Sequence, residues 1–98
     1  MRPENAAQFL TVALERQNAD RVLQVLREIA LKRGMTRVAR RAGLRRESLY
    51  RSLSPGASPR FETVLSIVRA LGVEFRAQPA PPGNPPQEEP QAIPTPGA

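Results

Sequence analysis

The residues from Met35 to Leu53, MTRVARRAGLRRESLYRSL, constrain the fold of this chain more than any other stretch. Apolar or small side chains recur at helical spacing on both sides of Gly43. A chain that leaves a helix commonly needs a positive φ at this point, and glycine adopts it without strain. The stretch therefore predicts two short helices joined by a tight turn, with Thr36 as the cap of the first helix.

Each of the two predicted helices has an inner and an outer face. Ala39 on the inner face of the first helix lets the two backbones approach, and Leu44 fills the corner. Leu49 and Leu53 lie one turn apart on the inner face of the second helix. Its outer face carries Arg46, Glu47, Tyr50 and Arg51. This is a helix-turn-helix pattern, whose second helix can enter a DNA major groove, although plain helical hairpins share the spacing.

The charge of the chain is concentrated on this motif. Between Lys32 and Arg60 there are nine basic residues and one acid, Glu47, which is a net charge of +8 in 29 residues, against +6 for the whole chain. A solvated surface usually mixes both signs, so this concentration favours neutralisation of nucleic-acid phosphates. Fourteen of the 15 basic residues are arginine, whose planar fork suits phosphates and guanine, but a genomic base-composition bias would give the same excess.

The composition argues against several other classes of protein. The chain has no cysteine and no histidine, so disulfides, the usual zinc sites and histidine catalysis are excluded. Asp20 is the only aspartate and no carboxylate pair is placed for acid–base chemistry, so we expect neither an enzyme nor a cofactor. Aromatic residues for stacking on RNA are few. Without a membrane-spanning run or a signal-peptide core, the sequence predicts a cytoplasmic protein with no membrane partner.

Helical periodicity continues on both sides of the motif. Asn5 to Gln17 predicts a first helix, with Phe9, Leu10, Ala13 and Leu14 inside. A second helix follows, capped by Asn18 and ended by Gly34. After the motif, Ser58 is the predicted cap of a last helix from Pro59 to Leu71. Its predicted buried stripe is Phe61, Val64, Leu65, Val68 and Leu71, with Ile67 off the stripe, either core or subunit contact. The sequence therefore predicts an all-α domain of five helices.

The end of the chain changes character twice. Residues 73–77 alternate apolar and polar, which predicts a short β-strand, or else an extended segment lying against the helices. A strand would need a partner edge, in a second copy or in another protein. Eight of the 11 prolines then fall between Gln78 and Ala98. We therefore expect a domain over residues 1–78, with dimerisation to enlarge its small core, and a disordered Pro-rich tail over residues 79–98.

Three segments carry a resemblance to a known family. They are RESLYRSLSP from Arg46 to Pro55, PRFETVL from Pro59 to Leu65, and ALG from Ala70 to Gly72. Together with the order of helices over residues 5–78, they resemble the addiction-module antidote family, small helix-turn-helix antitoxins of the HigA type with a lambda-repressor-like domain. The proline-rich tail lies outside the resemblance.

The resemblance implies an antitoxin of a type II toxin-antitoxin module. Such a protein binds a palindromic double-stranded DNA operator as a homodimer, represses its own operon and neutralises a small toxin of the RelE/ParE superfamily. A stand-alone regulator without a toxin is the alternative. The DNA-binding set that the resemblance implies is Thr36, Arg37, Arg45, Arg46, Glu47, Ser48, Tyr50 and Arg51. Arg45 departs from the family's usual small hydroxyl residue, which costs the second motif helix a cap.

Overall fold

The computed structural model describes residues 2–82 of the 98-residue chain, and this part is all-helical. Within these residues the predicted number of helices, five, is confirmed. The helices are α1 (Pro3–Glu15), α2 (Ala19–Arg33), α3 (Met35–Ala42), α4 (Arg46–Ser52) and α5 (Phe61–Ala70). None of them is long and apolar enough to cross a bilayer.

The helices share one core. α1 packs on α2, while α3 contacts α2, α4 and α5 and so occupies the middle of the domain. Every helix contributes apolar side chains that are buried from solvent. The largest fully buried side chains are Leu10, Leu26, Ile29, Val38, Leu49, Leu53, Ile67, Val68 and Leu71. Because α3 packs on both α2 and α5, its position is fixed. The short helix α4 packs on α3 and is therefore held in place.

Local signals placed some helix ends correctly and others wrongly. Asn18 caps α2 as predicted, since its side-chain oxygen accepts the Arg21 N–H at 3.1 Å. Thr36 does not cap α3. The helix begins one residue earlier, at Met35, and the carbonyl of Gly34 already accepts the Val38 N–H at 3.0 Å. Thr36 therefore lies inside the first turn, where its hydroxyl is too late to serve as a cap.

The start of α5 also differs from the prediction. The helix begins at Phe61, and neither Ser58 nor any other side chain caps it. Arg60 has an extended backbone with φ −66° and ψ 149°, so Pro59 stays in the loop before the helix. The carbonyl of Arg60 accepts the Val64 N–H at 3.1 Å and opens the helical ladder there. The prediction of Ser58 as the cap and Pro59 as the first helical residue was therefore wrong, and the cap position lies two residues later, at Arg60.

The buried face of α5 lies closer to its C-terminal end than the sequence predicts. Phe61 and Leu65 are 67% and 37% exposed, whereas Val68 is 2% exposed. Ile67, predicted to lie off the stripe, is fully buried. Burial thus rises along the helix, because only its later turns are enclosed by other elements. The prediction of Phe61 and Leu65 as core residues was wrong.

The buried stripe of α1 is also narrower than predicted. Ala6, Leu10 and Ala13 are at most 2% exposed and form the contact with the core. Phe9 and Leu14, predicted to be inside, are 55% and 44% exposed. α1 packs mainly on α2 alone, so a single row of side chains is covered and its flanks stay in solvent.

The predicted strand at residues 73–77 is absent from the part of the chain that the structure describes. Val73 and Phe75 are half-buried and pack on the core, while Glu74 and Arg76 point outward. The segment is therefore the alternative arrangement, a stretch lying against the helices. A strand requires hydrogen bonds to a neighbouring strand, and residues 2–82 offer none. Most of the predicted Pro-rich tail, residues 83–98, lies outside the described residues.

Candidate nucleic-acid interface

The turn between α3 and α4 is closed by backbone hydrogen bonds around one glycine. Gly43 has φ 73° and ψ 28°, in the left-handed region. Its N–H bonds to the carbonyl of Arg40 at 3.2 Å, and the N–H of Leu44 bonds to the carbonyl of Ala39 at 2.9 Å. This is the Schellman arrangement, which ends α3 and reverses the chain. The predicted glycine turn between two short helices is confirmed.

Gly43→Ala should lower the free energy of unfolding by about 1–2 kcal/mol. The cost comes from the backbone alone, because a Cβ at position 43 would meet no described heavy atom within 4 Å besides its chain neighbours. Gly43→Asn is the matched control and should cost less, since asparagine tolerates a left-handed φ. Urea denaturation of the two variants measures the difference. Equal losses would show that the positive φ is not what position 43 requires.

The inner face of α4 fastens it to the core. Leu49 is fully buried and Leu53, which directly follows the helix, is 1% exposed. Ser52, the last residue of α4, is only half-buried, and its neighbour Leu53 packs in the core instead. Ser54 donates its hydroxyl to the carbonyl of Tyr50 at 2.7 Å and satisfies one of the free carbonyls at the end of α4. The orientation of α4 is therefore fixed from its inner face and from its C-terminal end.

The outer face of α4 carries most of the predicted DNA-binding set. Its side chains are exposed, apart from the half-buried Ser48. The exposed members are Arg46, Glu47, Tyr50 and Arg51, and Arg45 just before the helix is exposed as well. Arg45 is the N-cap residue and makes no side-chain cap hydrogen bond, as its departure from a small hydroxyl residue predicts. Thr36 and Arg37 are exposed on a different helix, in the first turn of α3.

One direct contact joins two members of this set. The guanidinium carbon of Arg46 lies 5.5 Å from the centre of the Tyr50 ring, and its Nη2 donates a long hydrogen bond of 3.5 Å to the Tyr50 hydroxyl. A cation over an aromatic face is an attractive arrangement. The sequence contained the signal, an i, i+4 spacing of arginine and tyrosine on one helix face, but we did not predict the contact. The pair restricts the Arg46 side chain to the surface of α4.

The arginines of the motif have no acidic partner among the residues that the structure describes. Within residues 2–82 the ion pairs are Arg60–Glu62 and Glu74–Arg76, and both lie outside residues 35–53. The six motif arginines are therefore not neutralised by this part of the chain, and all six are exposed. They are Arg37, Arg40, Arg41, Arg45, Arg46 and Arg51.

One basic residue counted with the motif makes a contact inside the domain instead. Arg33 is half-buried, and its Nη1 donates to the carbonyl of Leu71 at 2.6 Å. Its Nε and Nη2 are buried without a hydrogen-bond partner among the described residues. Arg33 thus links the ends of α2 and α5, and sequence reasoning missed this role. The other eight basic residues between Lys32 and Arg60 are exposed.

The rest of the described chain is electrically balanced. Residues 2–31 contain four basic and four acidic residues, and residues 61–82 contain two of each. The net positive charge of the described part therefore comes from residues 32–60 alone. No three acidic side chains in the described region cluster so that they could hold a metal ion. The chemistry that this surface supports best is the binding of a polyanion.

Comparison with known proteins identifies the family of the chain. A family described as "Probable addiction module antidote protein" matches residues 2–79, which is nearly all of the part that the structure describes. The chain belongs to this antidote family. Its family implies a cognate toxin as partner of the antidote, and suggests a regulatory protein rather than an enzyme.

A relative of the antidote occurs in Haemophilus influenzae (strain ATCC 51907 / DSM 11121 / KW20 / Rd). This protein, named "Uncharacterized protein", is 39% identical over 70 residues, which cover 71% of the antidote chain and 72% of the relative. No solved structure matches the antidote significantly. The match of the antidote family over residues 2–79 confirms the resemblance to this family that the sequence suggested.

Proposed function

We propose that this antidote is a cytoplasmic antitoxin and autorepressor of a type II toxin-antitoxin module. It binds a palindromic operator as a homodimer and neutralises a small toxin of the RelE/ParE superfamily. The observation that carries the DNA-binding part is the set of exposed motif arginines, which have no acidic partner among residues 2–82, while the rest of these residues is balanced in charge. The proposal of a toxin partner rests on membership of the antidote family.

On this proposal α3 and α4 act as a helix-turn-helix of the HigA, lambda-repressor-like type. The outer face of α4 enters the major groove, where Arg46 and Arg51 read guanine through bidentate hydrogen bonds. Glu47 accepts from cytosine or orients an arginine, and Tyr50 packs on a thymine methyl or bonds a phosphate. The firm attachment of α4 through Leu49 supports this role, because base reading requires a fixed helix.

Phosphate contacts come from the first motif helix. Thr36 and Arg37 lie exposed at the start of α3, and Arg40 and Arg41 are exposed further along it. Such contacts fix the register of a protein on DNA without reading the sequence. The contact of Arg46 with the Tyr50 ring supports base reading, since an arginine already held on α4 loses less freedom when it binds.

Two measurements on the full chain test the proposal. The tagged protein is first expressed with its neighbouring genes and purified, and a small toxin is expected to co-purify. Its binding to its own upstream DNA is then measured by a shift assay at several salt concentrations, with random DNA of equal length as control. Affinity for the upstream DNA should be higher and should fall steeply with salt, with a logarithmic slope of about −0.9 per phosphate contact.

Each other outcome argues for a different function. A specific shift without a co-purifying protein would favour a stand-alone regulator. Equal affinity for upstream and random DNA would rule out both the autorepressor and the regulator. A co-purifying toxin without any DNA shift would leave an antitoxin that does not repress its operon.

A further inference from the structure

The segment after α5 has the side-chain pattern of an edge strand. Val73 and Phe75 are half-buried against the core, and Glu74 and Arg76 form an ion pair of 3.0 Å on the outer side. Side chains two residues apart share one side only when the backbone is extended. The outer pair is well exposed: 76% of the Glu74 side chain and 83% of the Arg76 side chain are accessible to solvent.

The backbone of this segment is unpaired in the described chain. The N–H of Val73 bonds back to the carbonyl of Val68 at 3.2 Å and completes the turn at Gly72. No backbone–backbone hydrogen bond among residues 2–82 involves residues 74–78. A row of free N–H and C=O groups on an extended segment is a template for pairing with another strand.

The direction in which the segment leaves the domain is fixed. Gly72 has φ 80°, and the hydrogen bond of Arg33 to the carbonyl of Leu71 holds the end of α5. Pro79 ends the part of the segment that can pair with another strand, because proline has no N–H to donate to the hydrogen bonds between strands. What remains is a short edge of six residues, Val73 to Gln78, in a defined place.

We infer that this edge pairs antiparallel with the same segment of a second copy of the chain, about a two-fold axis at Phe75. In this register Glu74 of each copy lies directly opposite Arg76 of the other, and Val73 lies opposite Ala77. Both charged residues are on the outer face, where opposite charges across an antiparallel pair are favourable. The segment is therefore complementary to itself in charge.

The charges select this register over its neighbours. A two-fold axis at Glu74 would place the two Glu74 carboxylates opposite each other, and an axis at Arg76 would do the same with two guanidinium groups. Parallel pairing in register would also put like charges side by side. Directly opposed like charges are destabilising. This inference rests on the homodimer of the proposed function and names its interface.

Charge reversal tests the interface through the dimer dissociation constant, measured by sedimentation equilibrium without DNA. Glu74→Arg and Arg76→Glu should each raise the constant by about tenfold, because each places like charges opposite each other twice. The double variant E74R/R76E restores opposite charges and should return the constant to within about twofold of the original.

Glu62→Arg is the matched control for these reversals. Glu62 is paired with Arg60 in an exposed ion pair of the same i, i+2 spacing, at 3.4 Å, outside the proposed interface. It should leave the dissociation constant unchanged. A rise for Glu62→Arg without one for Glu74→Arg would place the interface at the start of α5 and overturn the inference. A double variant as weak as the single ones would also overturn it.

Cysteine crosslinking tests the register, because the chain has no cysteine of its own. Directly opposed residues have Cα atoms about 4.5–5.5 Å apart, within the range of a disulfide. Phe75→Cys should therefore form a crosslinked dimer on oxidation, and Ala77→Cys should not. If Phe75→Cys does not fold, a mixture of Glu74→Cys and Arg76→Cys chains should crosslink, and each alone should not. Crosslinking at position 77 instead would overturn the register.

The outcomes also separate this inference from the proposed function. A dimer that binds the upstream DNA and ignores every change at residues 74–76 overturns the interface and leaves the proposed function standing. A monomer that shows no preference for the upstream DNA overturns both.

Discussion

Leu49→Ala is expected to lower the free energy of unfolding by about 2–5 kcal/mol. Leu49 is the buried anchor of α4, with no part of its side chain exposed. The substitution removes buried apolar surface and leaves a cavity under a helix of seven residues, which has little stability of its own. A domain of this size has a small total stability, so this loss is a large part of it.

The measurement is urea denaturation followed by helical circular dichroism. Leu14→Ala is the matched control, since it removes the same atoms from a side chain that is 44% exposed on α1. We expect the control to cost less than about 1 kcal/mol, because little buried surface is lost. If the two variants lost equal stability, α4 would not be held by the core as the structure describes.

Arg51→Ala is expected to weaken binding to the upstream DNA by about 1–3 kcal/mol, which is roughly a fivefold to 150-fold loss of affinity. Binding to random DNA should weaken much less, because a bidentate contact with guanine exists only at the correct site. Arg51 is exposed on the outer face of α4 and has no acidic partner in the described chain, so the substitution should not disturb the fold.

Two further variants separate base reading from phosphate binding. Arg37→Ala should weaken binding to both DNAs about equally and reduce the salt slope by roughly one contact. Arg16→Ala removes an exposed arginine after α1, outside the basic stretch, and should change neither affinity. Equal losses on both DNAs for Arg51→Ala would count against its proposed contact with a base.

The features that sequence reasoning predicted correctly depend on neighbouring residues. Gly43 ends α3 because only a residue free to adopt a positive φ fits there, and Asn18 caps α2 with its own side chain. The spacing of Leu49 and Leu53 likewise places both inside from the helical period alone. Exposure of the outer face of α4 follows from the same period.

The errors arose where distant elements decide the outcome. Phe61 fits the apolar period of α5, but no element covers the first turn, whereas Ile67 is enclosed further along. Thr36 is the exception, because the cause of its failure as a cap is local: Gly34 takes the N-cap position, so α3 already begins at Met35. The use of Arg33 as a link to Leu71 joins residues 38 positions apart, which no local pattern can show.

The uncompensated charge of residues 32–60 has an energetic consequence for the free protein. Residues 32–60 carry a net charge of +8, so their basic side chains repel one another. Within the described chain, Arg60–Glu62 is the one ion pair that reduces this repulsion. Salt screens this repulsion, so the same increase in salt that should weaken the proposed binding to DNA should raise the free energy of unfolding. A bound polyanion relieves the same repulsion more completely, so on the proposed function we expect operator DNA to stabilise the domain that binds it.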